Sequence, residues 1–412
     1  MHLIDQNLNF AINYIMLMVL YRLGNKNYIF SIIQEVYMKS INSMERIFTR
    51  GIASGNGFCN REKETGQIIG NIKNITQTLL ISPRRYGKTS LALHAIEQSK
   101  YPYAYIDLFM KYDSDSIFTE CYREIGRLIS KITTPTEKTI RAIENIFKNM
   151  KFSLVLGPVG LELSMLPVGG NKIQNIKELF LGVDDFLNKN QQKAIIFIDE
   201  VQTITETEIC NEIESSLRFI AQKTNNISFV FSGSSRHLLN QMFNDRDRPF
   251  YKLCYQMNLE RIEEEHYIKF INKFAMQKWK KLLNPEIFRE IFGCTKCHPY
   301  YVNVLCERIF AGKNIPTQED IDSYWEDICR EEQGAVAKDL ECITAKQKLL
   351  LGAIAKHPGL KEPTAKAFVN KINLTPRGIT LAMQGLVKHG LVEKLNTGEI
   401  RIIDPVLEKW SR

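Results

Sequence analysis

Several features of a membrane or exported protein are missing from this sequence. The apolar stretch Phe10–Tyr21 is interrupted by Asn13 and falls short of the roughly 20 residues a spanning helix needs. No clear basic segment precedes it and no clear small-residue cleavage site follows it, which argues against an export signal. The nine cysteines are odd in number and share no framework spacing, which argues against a disulfide-stapled secreted scaffold, and a reducing, cytoplasmic setting is expected. One spacing, Cys294-Thr295-Lys296-Cys297-His298, matches the c-type haem attachment pattern. With neither an export signal nor a second cysteine pair, it supports neither haem nor zinc. Charge of one sign is also scarce: 54 Lys and Arg against 46 Asp and Glu leave +8, which permits a nucleic-acid partner without demanding one. Residues 1–43 are read as an extension, either from an upstream mis-called start (Met38 and Met44 are alternatives) or poorly ordered, with a membrane anchor as the other reading. No stable membrane association is expected.

What is present begins at Ser82-Pro83-Arg84-Arg85-Tyr86-Gly87-Lys88-Thr89-Ser90. The apolar run Thr78–Ile81 before it reads as a buried strand, and Ser90–Ile96 after it has the apolar spacing of a helix. A loop of this kind aims backbone N–H groups and a helix N-terminus at phosphate oxygens. Lys88 would reach the β/γ-phosphates and the Thr89 hydroxyl would bind Mg²⁺. Ser82 stands where the usual pattern has glycine, and Pro83 can pre-set the turn instead. A plain helix start is the alternative.

A second run, Lys193–Gln202, is apolar up to Asp199-Glu200, as expected of a central parallel strand opening into a ligand crevice. Asp199 would hold Mg²⁺, and Glu200 would orient and polarise the attacking water. A buried strand followed by solvated acids is the other reading, and the loop upstream argues against it. A third strand, Ile227–Phe231, ends in Ser232-Gly233-Ser234-Ser235-Arg236, where Ser232 either senses the γ-phosphate or belongs to a serine-rich turn.

These motifs follow one another in a specific order. A Phe58–Glu64 box precedes the loop; His298-Pro299-Tyr300-Tyr301 and a terminal Asp404–Trp410 segment come after the strands. From about Met44 to its end the chain resembles the archaeal-type ATPase family of prokaryotes, a branch of the AAA+ and signalling-ATPase (STAND) group. The resemblance implies that Arg61 lies against the base or ribose, and that His298-Pro299 starts a lid helix over the nucleotide. It also makes Arg236 and Arg248 candidates for an arginine finger, with a surface arginine as the alternative for each. Ser82 and Cys297 replace glycines of the family pattern, which bears on catalytic rate more than on binding.

The expected architecture is an α/β P-loop NTPase core, a parallel sheet with helices on both faces, over residues 44–258. A helical lid over 259–338 and a winged helix over 339–412 follow. The core takes in a further strand at Tyr103–Leu108, a helix over 137–151, a hairpin of 152–156 with 161–165, and a helix over 175–188. The lid comprises helices over 263–280, 285–292, 300–310 and 318–332, and the winged helix has helices at 345–356, 363–371 and 376–389 before a hairpin of 391–395 with 399–403. From Leu340 onward, twelve Lys and Arg against six acids give +6 of the total charge, a footprint that suits phosphate backbones. The candidate recognition helix nevertheless presents only Thr375, Arg377, Thr380, Gln384 and Lys388, and the wing tip Asn396-Thr397-Gly398 carries no cation. Two functions stay open. One is an ATP-hydrolysing ATPase that binds double-stranded DNA through the winged helix. The other is a slowly hydrolysing signalling or defence switch that assembles with itself or with an effector protein.

Overall fold

The computed structural model describes residues 47–111, 113–133, 150–157, 160–167 and 171–412. The expected extension at 1–43 lies outside them, as does the helix expected over 137–151 except for Met150 and Lys151, which open a strand. In chain order the first part contains α1 (Glu62–Lys73), β1 (Thr78–Ile81), α2 (Lys88–Ser99), β2 (Tyr103–Asp107), α3 (Ser114–Ile132), β3 (Met150–Gly157) and β4 (Gly160–Pro167). It continues with α4 (Lys172–Lys189), β5 (Ala194–Asp199), α5 (Cys210–Lys223), β6 (Ile227–Gly233), α6 (Arg236–Asn244) and β7 (Tyr255–Asn258).

The apolar runs enter one sheet of five strands in the order β2-β5-β6-β1-β7, every pairing parallel. Because side chains alternate along a strand, each run feeds two cores. Leu80, Ile195, Phe197 and Val230 face α1 and α2 in one core. Their strand neighbours Leu79, Ile81, Ile196, Ile198, Phe229 and Phe231 face α3 to α6 in the other. Phe229 and Phe231 are fully buried, and burying a side chain of this size contributes about 1.5–3 kcal/mol. The sheet order brings the carboxyl ends of β1, β6 and β5 side by side, the place where open α/β sheets hold ligands. The expected hairpin is present as β3 and β4, paired antiparallel and packed on α3.

The remaining chain is helical. It runs through α7 (Glu264–Trp279), α8 (Pro285–Thr295), α9 (Pro299–Ala311), α10 (Gln318–Glu331) and α11 (Gln333–Glu341). Then follow α12 (Ala345–Lys356), α13 (Lys366–Val369), α14 (Pro376–Lys388), the antiparallel pair β8 (Val392–Lys394) and β9 (Ile400–Ile402), and α15 (Pro405–Trp410). Reciprocal capping boxes start α10 at Thr317/Asp320 and α12 at Thr344/Gln347, and Asp404 caps α15. α13 is shorter than its apolar pattern suggests, while α11 and α15 were not expected.

Lid and winged helix share one continuous apolar cluster, from Tyr267 and Ile291 through Trp325 to Leu386 and Leu407. Phe48 joins it from the chain start, edge-on to Phe270 and Phe274 at 5.8 Å each. Among the described residues no helix is long and apolar enough to cross a membrane.

Candidate functional site

The segment between β1 and α2 turns through two left-handed residues, Arg85 at φ 64° and Gly87 at φ 86°. Gly87 meets this need without strain; Arg85 does not, and it is held in place from outside the loop. Its guanidinium lies 4.2 Å from the Tyr300 ring centre and pairs with Glu332 at 3.4 Å, so α9 and the α10–α11 junction clamp the loop. Tyr300 Oη completes the clamp by donating to Glu332 at 3.0 Å.

Lys88 is buried, and its Nζ donates to the carbonyl oxygens of Ser82 and Pro83, each at 3.0 Å. Burial pushes its ammonium below the ordinary lysine range, while Glu200 and Asp199 pull it back up and Arg84 and Arg236 push it further down. Thr89 Oγ1 donates to Asp199 Oδ2 at 2.6 Å, and Ser232 Oγ donates to Asp199 Oδ1. Tyr105 Oη reaches Oδ2 at 3.3 Å, and the Glu200 N–H donates to Oδ1 at 3.0 Å. Burial pushes the Asp199 carboxyl up from its usual range; the hydrogen bonds from Ser232 and Thr89 oppose that.

Glu200 follows in a left-handed conformation at φ 53°. Its Oε2 accepts from the Ser234 N–H at 3.2 Å, from Ser234 Oγ at 2.8 Å, and from Gln202 Nε2. Gly233 makes this possible, since a Cβ there would land on Gln202 Oε1. The carboxylate is thereby fixed beside the P-loop rather than free in solvent.

A cleft of about 480 Å³ unites Gly87, Lys88, Thr89 and Glu200 with Arg61, Pro299 and Tyr300. Its far wall includes Phe58, Tyr267 and Asn303. A larger cavity of about 770 Å³ lies between α7, α8 and the winged helix and touches neither the P-loop nor the strand-end acids.

The structure brings most of the expected site residues together, with differences in how they are used. Ser90 Oγ accepts from the Ala53 N–H at 3.0 Å, tying the chain start to α2. Arg84 is exposed, 6.0 Å from the Phe109 ring centre. Arg61 lines the cleft, but its guanidinium pairs with Glu64 at 2.8 Å and donates to the Glu260 carbonyl. Pro299 opens α9 at the cleft, as the resemblance implied, and His298 packs edge-on against Tyr86 at 5.0 Å. Burial, reinforced by Arg261 and Arg85, pushes the His298 imidazole well below its usual range, so the ring is neutral. Arg248 is not brought to the cleft: its guanidinium pairs with the buried Glu214 of α5. Arg236 pairs instead with Glu393 of the wing at 2.9 Å.

Several participants carried little or no sequence signal. Gln202 and Ser234 stand inside the quoted motifs, so a polar residue just past the end of β5 or β6 was the available cue. Tyr105, Arg261, Glu332 and Glu393 offered none. Among the described residues no cluster of three or more His, Cys, Asp or Glu is arranged to hold a metal. A Mg²⁺ site needs no such cluster, because phosphate oxygens and water supply most of its ligands. Asp199 fits that role: all its partners are hydroxyls or an N–H, and none is a cation.

A family model for an ATPase domain predominantly from Archaea matches residues 58–305. The chain belongs to that ATPase family. A probable winged helix domain matches residues 337–412. No curated protein is similar enough to match. Among solved structures, the Walker-type ATPase PABY2304 of Pyrococcus abyssi is similar to this archaeal-type ATPase with a TM-score of 0.65 at 17% identity, over 89% of this chain and 99% of that one. The ORC2 protein of Aeropyrum pernix in its ADPNP-ADP complexes is similar with a TM-score of 0.55 at 14% identity, over 89% and 95%. At such identities the likeness is one of fold.

Proposed function

We propose that this ATPase-family chain binds ATP with Mg²⁺ at the ends of β1, β5 and β6 and hydrolyses it, coupling nucleotide state to a partner through the winged helix. One observation carries the reading. The 2.6 Å hydrogen bond between Thr89 Oγ1 and Asp199 Oδ2 sets a hydroxyl and a carboxylate face to face at the foot of the P-loop. Such an oxygen pair suits a hard divalent cation that also takes phosphate oxygens.

Lys88 would exchange the carbonyls of Ser82 and Pro83 for terminal phosphate oxygens. The exchange is favourable because a buried ammonium then gains an anionic partner in place of neutral ones. The N–H groups of Arg85 to Thr89 would cradle the phosphates. Thr89 and Asp199 would hold Mg²⁺, which would neutralise charge on the transferring phosphoryl group when bound. Glu200, fixed by Ser234 and Gln202, would orient the water that attacks the γ-phosphorus as the bond to the bridging oxygen breaks. Ser232, bonded to Asp199 beside the same point, would report the presence of that phosphate.

For the partner we favour duplex DNA at α14, whose exposed face carries Arg377, Gln384 and Lys388. Thr375 Oγ1 accepts from the Gly378 N–H at 3.1 Å and Thr380 Oγ1 donates to the Pro376 carbonyl at 3.1 Å, so two of the five candidate groups serve their own helix. Binding would therefore be mainly electrostatic and weakly selective. A nucleotide switch with a protein partner is the second reading, favoured by the wing being docked: Glu393 pairs with Arg236 of the core at 2.9 Å, and Asn396 Nδ2 at the wing tip donates to Glu260 Oε1, just past β7, at 2.7 Å. The nine free thiols suit a reducing cytoplasm in either case.

Calorimetric titration with ATP and Mg²⁺ tests the site. Lys88→Ala should weaken binding by about 10²-fold or more, as losing a charged contact to phosphate does. Equal affinity in parent and variant would refute the assignment.

A further inference from the structure

The lid and the winged helix share one apolar cluster, yet the packing between them stops short of closure. The cavity of about 770 Å³ lies at this seam, whereas domain interiors leave few voids larger than a water molecule. One wall is a stripe at helical spacing along α8 to its C-cap: Pro285, Phe288, Arg289, Phe292, Gly293 and Lys296. The winged helix supplies the opposite wall through Ile354 and Ala355 of α12 and Ile400 and Ile402 of β9. Phe288 and Phe292 stack with ring centres 5.9 Å apart, and both are buried, as are Ile354 and Ile400. Gly293 keeps the space open: a Cβ there would meet no atom within 4 Å.

Charge is set around these apolar walls with a small positive surplus. Among the described residues neither the Arg289 nor the Lys296 side chain has a hydrogen-bond or ion-pair partner, and both are exposed. Arg261 donates only to neutral oxygens, the Tyr86 hydroxyl at 3.1 Å and the carbonyls of Lys296 at 2.7 Å and Ile403 at 2.8 Å among them. Arg401 and Arg412 are already taken, by Glu393 and Glu408. Two acids, Glu264 and Glu399, line the same cavity, and among the described residues neither carboxylate has a cation against it. Three uncompensated cations against two such acids leave one positive charge. That balance suits a monoanion and does not suit a polyphosphate or a nucleic-acid strand.

We propose that this cavity is a second ligand site, which takes a small organic monoanion with an aromatic body. The body lies against Phe288, Phe292, Ile354 and Ile400, and the anionic group is held by Arg289 and Lys296. The volume falls within the range of about 300–1,000 Å³ in which pockets enclose small organic ligands. Leaving water for these walls supplies the non-directional part of the affinity, and charge-assisted hydrogen bonds from the two side chains supply the selectivity for an anion. The ligand touches lid and winged helix at once. The cavity shares no lining residue with the P-loop cleft, so the proposal stands apart from the ATP reading.

Fluorescence titration of the full chain tests this with two matched probes: anilinonaphthalene sulfonate, an aromatic body with one sulfonate, and phenylnaphthylamine, the same body without it. The parent should bind one sulfonate probe per chain, about tenfold or more tighter than the neutral one. Arg289→Gln with Lys296→Gln should lower affinity for the sulfonate about tenfold or more and leave the neutral probe unchanged, since the walls are untouched. Gly293→Trp places an indole in the cavity and should abolish binding of both. Circular dichroism and the unfolding midpoint show whether each variant folds. Should Gly293→Trp fail to fold, the matched probes on the parent and on the charge variant still decide. No binding of the sulfonate probe by the parent, or equal affinity for the two probes, overturns the proposal. So does undiminished sulfonate binding in either folded variant.

Discussion

Two buried carboxylates flank the P-loop, and the molecule holds them in opposite ways. Asp199 ends a central strand and is surrounded by hydroxyls from Thr89, Ser232 and Tyr105, with its carboxyl pushed up by burial. Glu393 sits in a short strand of the wing and is held by two guanidinium groups and a phenol, with its carboxyl kept low by them. Asp199 has no cation among its hydrogen-bond partners, which is what the proposed Mg²⁺ site requires. Glu393, already neutralised by arginines, holds two parts of the chain together. Burial alone separates nothing here; the charge of the partners decides whether an acid is a ligand or a fastener.

Removing each acid should therefore break different things, and the largest effect belongs to the fastener. Glu393→Ala leaves Arg236 and Arg401 facing each other without a counter-ion, and a broken buried pair costs about 3–5 kcal/mol. Thermal or denaturant unfolding of parent and variant reads this directly; an unchanged midpoint would mean that the wing contact contributes no stability. Glu200→Gln comes next, with ATP binding retained and turnover lower by about 10²-fold, since it removes the group that orients water. Phosphate release under saturating ATP measures it, and parental turnover would leave Glu200 only the structural role of holding Ser234 and Gln202. Smaller still is the response of the exposed helix: Arg377→Glu with Lys388→Glu should lower duplex DNA affinity about tenfold or more at low salt while ATP binding persists. Fluorescence anisotropy at two salt concentrations tests this, and equal affinities would shift the partner reading from DNA to protein.

The contrast between the two acids also marks how far the sequence could be read. Asp199 was legible because the run Ile195–Ile198 can only be a buried strand, and an acid at its carboxyl end faces the crevice. The lid helices were equally legible, with α7 to α10 starting and ending within a few residues of their periodic patterns. Glu393 was not legible. Its partner Tyr86 is 307 residues away, and nothing in Leu391–Leu395 distinguishes a buried acid from a solvated one on a hairpin. Arg248 shows the same limit from the other side: nothing in its loop points to Glu214 on α5, with which its guanidinium pairs. Local pattern fixes which elements form and where strand ends point. Which charges meet across the lid, wing and core depends on packing that no local pattern encodes.

The claim that Asp199 awaits a cation while Glu393 already has its own is tested most directly by the Mg²⁺ dependence of ATP affinity in the parent protein and in Asp199→Asn. Both should bind ATP without Mg²⁺ about equally, because the neutral amide preserves the shape of the site. Adding Mg²⁺ should tighten binding by about tenfold or more in the parent and hardly at all in the variant, since a hard cation needs the charged oxygen. The same Mg²⁺ enhancement in both proteins would contradict the account.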